Sequence, residues 1–298
     1  MGSQSTTNFR DELKQFIVKS GLSSARVAKA MGYSQSTLSQ YFSESYKGDI
    51  EKLELAIESY LQRENEKSGN RFKQITFAET TIARTIFRTA RTCHLNSVMG
   101  MVYGSSGLGK TTGAVQYASQ YKDCIYILAN KSYTPKVLFK KLHLICGFDG
   151  KGYINEMFDD VVERLKDSGR LLIIDQAEYL NNTALHLIRT LFDESKVGIL
   201  LMGLDELFYN VRGQRGEFAQ LYTRITVPVK LREWKLDDVN KIVTQVFGDA
   251  ELAKDFYRHS NGNGMMLRNL IFNTMQYGEA NGQVSPEIIA EAAKLLIN

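Results

Sequence analysis

Eight consecutive residues, Gly104, Ser105, Ser106, Gly107, Leu108, Gly109, Lys110 and Thr111, fit the pattern GxxxxGK[ST]. These residue types at this spacing handle polyphosphate. Glycine permits backbone conformations in which successive N–H groups point into one concavity, and such a concavity holds an anion. A helix begun at that point adds the positive end of its dipole. Lys110 can reach β- and γ-phosphates, the Thr111 hydroxyl can ligate a Mg²⁺ ion they carry, and Thr112 extends the set into the helix. A second feature serves the same chemistry. The apolar run Leu171-Leu172-Ile173-Ile174 ends in Asp175. A carboxylate at the tip of a buried strand is costly unless it meets a cation, so Asp175 and Thr111 form the expected Mg²⁺ pair. The ligand these residues call for is a nucleotide polyphosphate with Mg²⁺.

Such a loop needs a strand before it and a helix after it. Met101–Tyr103 precedes it, and Thr112–Tyr121 has a helical pattern. Val98–Tyr103, Ile125–Leu128, Leu171–Ile174, Ile199–Met202 and Ile225–Val229 are short apolar runs that read as buried strands, with helical patterns between them. That alternation predicts an α/β fold, a parallel sheet covered on both faces. After Trp234 the pattern is helical to the end. The expected organisation is an α/β nucleotide-binding domain over 74–233 and a helical lid over 234–298, preceded by a small all-α unit over 1–62 and a polar linker over 63–73. In the small unit Phe9, Leu13, Phe16 and Ile17 share one helix face. Ser23 or Ser24, Ser34 and Asp49 stand where caps of the following helices belong.

Hydrophobic residues make up 43% and charged residues 23% of 298 positions, which excludes a wholly disordered chain and suits about two domains. The longest apolar stretches are too short to span a bilayer, and Met1–Asp11 lacks an apolar leader core. Cys93, Cys124 and Cys146 have no CxxC spacing, which argues against a zinc site or a disulfide framework and fits a reducing cytoplasm.

The order of these elements, with the helical tail, resembles the AAA+ P-loop ATPases over about residues 72–298. In that family a glutamate follows the strand-end acid and polarises the attacking water. Here that position holds Gln176, and Glu178 lies two residues further on. Glutamine orients water without accepting its proton, so either Glu178 takes the role or hydrolysis is slow. The family's polar sensor after the fourth strand falls on Leu201-Met202-Gly203-Leu204, which offers none, and Asp205 is the nearest. The resemblance implies an arginine acting on a neighbour's γ-phosphate, matched best by Arg224 with Arg212 and Arg215 as rivals. It also implies a lid arginine, Arg268, after Gly264.

Residues Leu22 to Tyr41 resemble a Cro or phage-repressor helix-turn-helix. Ala28 is small, Gly32 makes the turn, and Val27 and Leu38 lie between the helices; Gln35, Ser36, Ser39 and Gln40 then face a DNA groove. Residues 1–70 carry nine Lys/Arg against nine Asp/Glu, so phosphate attraction is weak there and docking onto protein is the alternative. Residues 71–110 carry six basic side chains against one acid. Arg84, Arg88 and Arg91 share one helix face and could meet DNA or a neighbour's nucleotide. Lys131, Tyr133 and Lys136 after the second strand, and Lys151 in the loop Gly147–Tyr153, lie in regions that AAA+ assemblies aim at a central channel; they are the expected DNA contacts.

A Cro-like unit joined to an AAA+ module is similar to the B proteins of Mu-like transposable phages. That resemblance implies ATP-dependent assembly into a helical homo-oligomer on double-stranded DNA of any sequence, selection of target DNA, and activation of a transposase. Two other functions stay open on the residues alone: an ATP-switched, sequence-specific transcription regulator, and a helper ATPase that loads a replication protein.

Overall fold

Short polar side chains begin the helices of the N-terminal unit. Helix α1 (Phe9–Ser20) ends at Gly21. The Ser23 oxygen accepts from the Arg26 N–H at the start of α2 (Ser24–Ala30), and the Ser34 oxygen from the Thr37 N–H at the start of α3 (Gln35–Phe42). Asp49 accepts from the Lys52 N–H at 3.0 Å and opens α4 (Ile50–Gly69). Leu13, Val27, Ala28, Leu38, Leu53 and Ile57 are fully buried between these four helices. The expected linker begins later than residue 63, because α4 continues through Gly69. Gln62, Arg63, Glu64, Glu66 and Lys67 are good helix formers, and extending an existing helix requires no new nucleus.

The computed structural model describes residues 9–69, 77–213, 219–281 and 284–296. The chain divides into two units, Met1–Gln74 and Ile75–Asn298; residues 70–73 of the expected linker lie outside the described residues.

The larger unit runs α5 (Thr81–Asn96), β1 (Met99–Tyr103), α6 (Lys110–Gln120), β2 (Cys124–Leu128), α7 (Pro135–Ile145), α8 (Ile154–Leu165), β3 (Leu171–Asp175), a 3₁₀ turn (Ala177–Tyr179), α9 (Asn182–Ser195), β4 (Gly198–Gly203), α10 (Asp205–Arg212), α11 (Ala219–Tyr222) and β5 (Ile225–Lys230). The strands form one parallel sheet in the order β2-β3-β4-β1-β5, and every pairing is parallel. All five apolar runs of the sequence are strands of this sheet.

Alternate side chains of each central strand serve opposite layers. Met99, Met101, Leu172, Ile174, Ile199 and Leu201 pack with α7, α8, α9 and α10. Val102, Leu171, Ile173, Leu200 and Met202 pack with α5 and α6. Burial on both faces explains why these strands read as unbroken apolar runs rather than as alternation. Pro228 sits in β5, an edge strand, where a missing N–H is tolerated.

This order brings the carboxyl ends of β1, β3 and β4 together, with Tyr103 level with Gly203. In open parallel sheets a ligand crevice lies outside those ends. Over it closes a lid of α12 (Leu236–Phe247), α13 (Ala253–Ser260), α14 (Gly264–Asn281) and α15 (Pro286–Ala293). The lid is tied to the sheet layer by one buried carboxylate. Asp238, 1% exposed, accepts from the Thr81 N–H at the start of α5 (2.6 Å) and from the Lys235 N–H at the start of α12 (3.3 Å). Asp238→Ala removes the acceptor of two helix-start N–H groups, so it should lower unfolding stability by about 2 kcal/mol in urea denaturation.

Candidate nucleotide-binding site

The loop between β1 and α6 has the backbone that its glycines permit. Gly107 and Gly109 stand at φ +79° and +87°, where an L side chain is strained. Gly109 precedes Lys110, the first residue of α6, so the helix N-terminus opens on the loop. Lys110 is buried, and its ammonium donates to the carbonyls of Gly104 (2.6 Å) and Ser105 (2.7 Å). Burial lowers its pKa, against the pull of Glu178, Asp175, Asp205 and Glu206. A buried cation among neutral carbonyls fits a polyphosphate ligand that brings negative charge.

Asp175 lies at the end of β3 and is 1% exposed. Its Oδ2 accepts from the Thr111 hydroxyl (2.6 Å) and from the Tyr126 hydroxyl (3.1 Å), and its Oδ1 accepts from the Gln176 N–H (2.9 Å). Burial, then Asp175 itself, pushes the Tyr126 pKa up, so the phenol stays a donor. Thr111 and Asp175 are thus in contact, as a Mg²⁺ pair requires. Among the described residues no group of three or more His, Cys, Asp or Glu is gathered that could hold a metal. The hydroxyl of Thr111 and the carboxylate of Asp175 are hard oxygen donors, and they fit a Mg²⁺ ion completed by phosphate oxygens. The cysteines contribute no chemistry here: all three are free, and burial pushes Cys93 and Cys124 up to about 12.

Gln176 and Glu178 differ in backbone and setting. Gln176 takes the left-handed conformation (φ +56°) and starts the 3₁₀ turn that carries Glu178. Asn210 holds that turn by donating to the Glu178 carbonyl (3.2 Å). Glu178 Oε2 is buried and has no hydrogen-bond partner among the described residues. Burial raises the Glu178 pKa, opposed by the N–H groups of Glu178 and Leu204 and by Lys110. The carboxylate has room there because β4 ends in glycine: a Cβ on Gly203 would overlap Glu178 Oε2 and press on Leu207. The sensor position that lacks a polar side chain is thus the floor under Glu178. Asp205, the nearest acid in sequence, pairs with Lys230 at 3.1 Å.

The lid reaches the loop through the side chains of two residues that the sequence motifs did not mark, Trp234 and Asn263. Trp234 Nε1 donates to the Leu108 carbonyl (3.0 Å), and Asn263 Nδ2 to the Ser106 carbonyl (2.8 Å). A sole tryptophan at the junction of sheet and lid, and an Asn-Gly pair at a helix start, were the available hints.

The remaining candidates are placed as follows. Arg224 donates from Nε and Nη2 to the two carboxylate oxygens of Asp193 (3.2 and 3.3 Å), so it is already engaged within its own chain. Arg212 is exposed at the end of α10, and Arg215 lies outside the described residues. Arg268 is exposed on α14, about one turn beyond the residues that touch the phosphate loop. Lys131, Lys136 and Lys151 are exposed; the Lys131 ammonium stands 5.8 Å from the Tyr179 ring, and Lys151 lies 3.9 Å from Asp149. Tyr133 requires a correction. It is 5% exposed, packed in the core, and its hydroxyl accepts from Lys141, so it has no free face for a base. Gln35, Ser36, Ser39 and Gln40 are all exposed on α3. Arg84, Arg88 and Arg91 are exposed on α5, with Arg91 donating to the Tyr121 hydroxyl at 3.0 Å.

Residues 95–209 match the AAA domain family. The chain is 26% identical over 247 residues to the Mu-like prophage FluMu DNA transposition protein B of Haemophilus influenzae, covering 80% of this chain and 84% of the relative. It is 25% identical over 255 residues to the ATP-dependent target DNA activator B of Escherichia phage Mu, covering 83% and 80%. Its fold is similar to that of the Aeropyrum pernix ORC2 protein, at TM-score 0.54 and 17% identity over 73% of this chain and 67% of that one. Fold and site together define an AAA+ P-loop NTPase, an ATPase. Within that class the chain is a homologue of the B transposition proteins of Mu and Mu-like prophages.

Because the sole tryptophan touches the phosphate loop, its emission should shift or change in intensity when ATP and Mg²⁺ are titrated in. Lys110→Ala should remove that response while leaving the circular dichroism spectrum unchanged.

Proposed function

We propose that this chain is an ATP-dependent ATPase that binds duplex DNA with little sequence preference, coats it as a helical homo-oligomer, and presents it as a target to a transposase. One observation carries the reading: the likeness to a target DNA activator covers 83% of the chain, more than the C-terminal unit makes up, so it extends into the N-terminal unit. The candidate DNA contacts are Lys131, Lys136 and Lys151 on the larger unit and Gln35, Ser36, Ser39 and Gln40 on α3. Exposed lysines on loops bind phosphate without reading bases, which suits a coat indifferent to sequence.

In the reaction proposed, the loop N–H groups and Lys110 hold the phosphates. Thr111 and Asp175 hold Mg²⁺, which when bound offsets charge on the β- and γ-phosphates. A water oxygen bonds to the γ-phosphorus as the bond to the β–γ bridging oxygen breaks. Glu178 takes the water's proton, and ADP and phosphate leave. Gln176 cannot accept that proton, and Glu178 is held back under Gly203 rather than next to Asp175, so intrinsic turnover is slow and DNA or a transposase accelerates it. Arg224, freed from Asp193, or Arg268 would stabilise γ-phosphate charge.

Glu178→Gln should lower hydrolysis by about 10²- to 10³-fold with nucleotide binding retained, in a phosphate-release assay. The carboxylate form is the active one and its pKa lies above the usual 4.5. The rate should therefore fall on acidification at a higher pH than an exposed glutamate would dictate.

Electron microscopy of the chain with ATP, Mg²⁺ and random-sequence duplex should show filaments that lengthen with protein concentration, lost on Lys110→Ala and on raising salt. A protected stretch of fixed length at one sequence would instead favour the transcription regulator.

A further inference from the structure

Three successive carbonyls of the phosphate loop are held by the lid. Asn263 Nδ2 donates to Ser106 O (2.8 Å), the Met265 N–H to Gly107 O (3.1 Å), and Trp234 Nε1 to Leu108 O (3.0 Å). The two carbonyls before them point elsewhere, to the Lys110 ammonium. In a trans peptide unit the C=O and the N–H of the following residue point in opposite directions. Each bond to the lid therefore turns one N–H, of Gly107, Leu108 or Gly109, to the side away from the lid contact. Those are the donors a phosphate chain needs. We infer that Asn263 and Trp234 are positioning residues: from the lid they orient the loop's phosphate-binding N–H groups, so lid placement and triphosphate affinity are coupled.

Both residues are themselves fixed. Asn263 Oδ1 accepts from the N–H groups of Met265 (3.0 Å) and Met266 (3.1 Å), so its amide is locked to the start of α14. The Trp234 N–H donates to Gly262 O (2.8 Å), and its ring lies so close to α14 that a Cβ on Gly264 would stand 2.5 Å from it. The loop side is as tight, since a Cβ on Gly107 would overlap the Asn263 amide. Asp238 anchors the start of α12 to α5, so the lid bears on the loop from a held position. Coupling of this kind runs both ways: a phosphate chain that needs the oriented N–H groups also favours the seated lid.

The inference rests on the nucleotide-binding reading, and the test separates the two. Asn263→Ser leaves an acceptor for α14 but cannot reach Ser106; Trp234→Phe leaves an aromatic ring and removes the N–H. Full-length proteins are titrated with a fluorescent ATP analogue, competed by ATP, tripolyphosphate or adenosine, and melted without nucleotide. Each variant should bind ATP and tripolyphosphate about three- to tenfold more weakly, the worth of one neutral hydrogen bond, with adenosine affinity unchanged. Should Asn263→Ser fail to fold, Trp234→Phe carries the test. Unchanged tripolyphosphate affinity overturns the inference, and so does an equal loss for adenosine, which would mark a general disturbance of the lid. An unaltered chain that binds no ATP overturns the nucleotide-binding reading itself, and this inference with it.

Discussion

A buried ammonium, a buried carboxylate and a half-buried carboxylate feel one another's charge at the carboxyl ends of three strands. Lys110, Asp175 and Glu178 could not each be withdrawn from water alone, since an isolated buried ion costs more than a single domain can spare. Their mutual attraction is incomplete. Lys110 rests on carbonyl dipoles, one Glu178 oxygen has no donor, and burial shifts both pKa values toward the neutral forms. A site that leaves charge under-compensated binds tightly whatever completes it, and a phosphate chain with a divalent ion does so with both signs at once.

The rest of the large unit keeps that arrangement from relaxing. Central strands buried on both faces cannot slide without exposing apolar side chains, so the strand ends stay level and Tyr103 stays beside Gly203. The close-packed floor under Glu178 depends on that register, because a shift of one residue would put the Met202 side chain where the glycine stands. The lid works on the same site from above. It is covalently continuous with β5, tied to α5 by Asp238, and hydrogen-bonded to the loop at three carbonyls. Sheet, loop and lid are therefore one mechanical unit around the phosphates.

Much of this was legible in the residues. The phosphate loop and the strand-end acid are local patterns with one physical purpose, and five apolar runs of strand length sufficed for the sheet. Helix caps at Ser23, Ser34 and Asp49 were equally local. What escaped was non-local. Tyr126 reaches Asp175 across neighbouring strands, and Asn263 reaches Ser106 across the whole ATPase core. Arg224 looked available because its partner Asp193 is distant in sequence. Tyr133 looked exposed because it stands among lysines, whereas its ring is a core side chain with a lysine bonded to its edge. The glycine at 203 read as a missing sensor because only the fold shows which side chain needs the space.

Charge also bears on how the proposed DNA coat would hold together. The N-terminal unit balances nine basic against nine acidic side chains over residues 1–70, so by itself it gains little from phosphate neutralisation. Each larger unit offers three candidate lysine contacts, Lys131, Lys136 and Lys151, the last of them already near an aspartate. Contacts that sparse give weak, salt-sensitive binding for one copy. Repeated along a filament they add, because every further copy binds next to one already in place, at high effective concentration. In the proposed reading, affinity for DNA is therefore a property of the assembly, and a nucleotide that controls assembly controls DNA binding without touching the DNA.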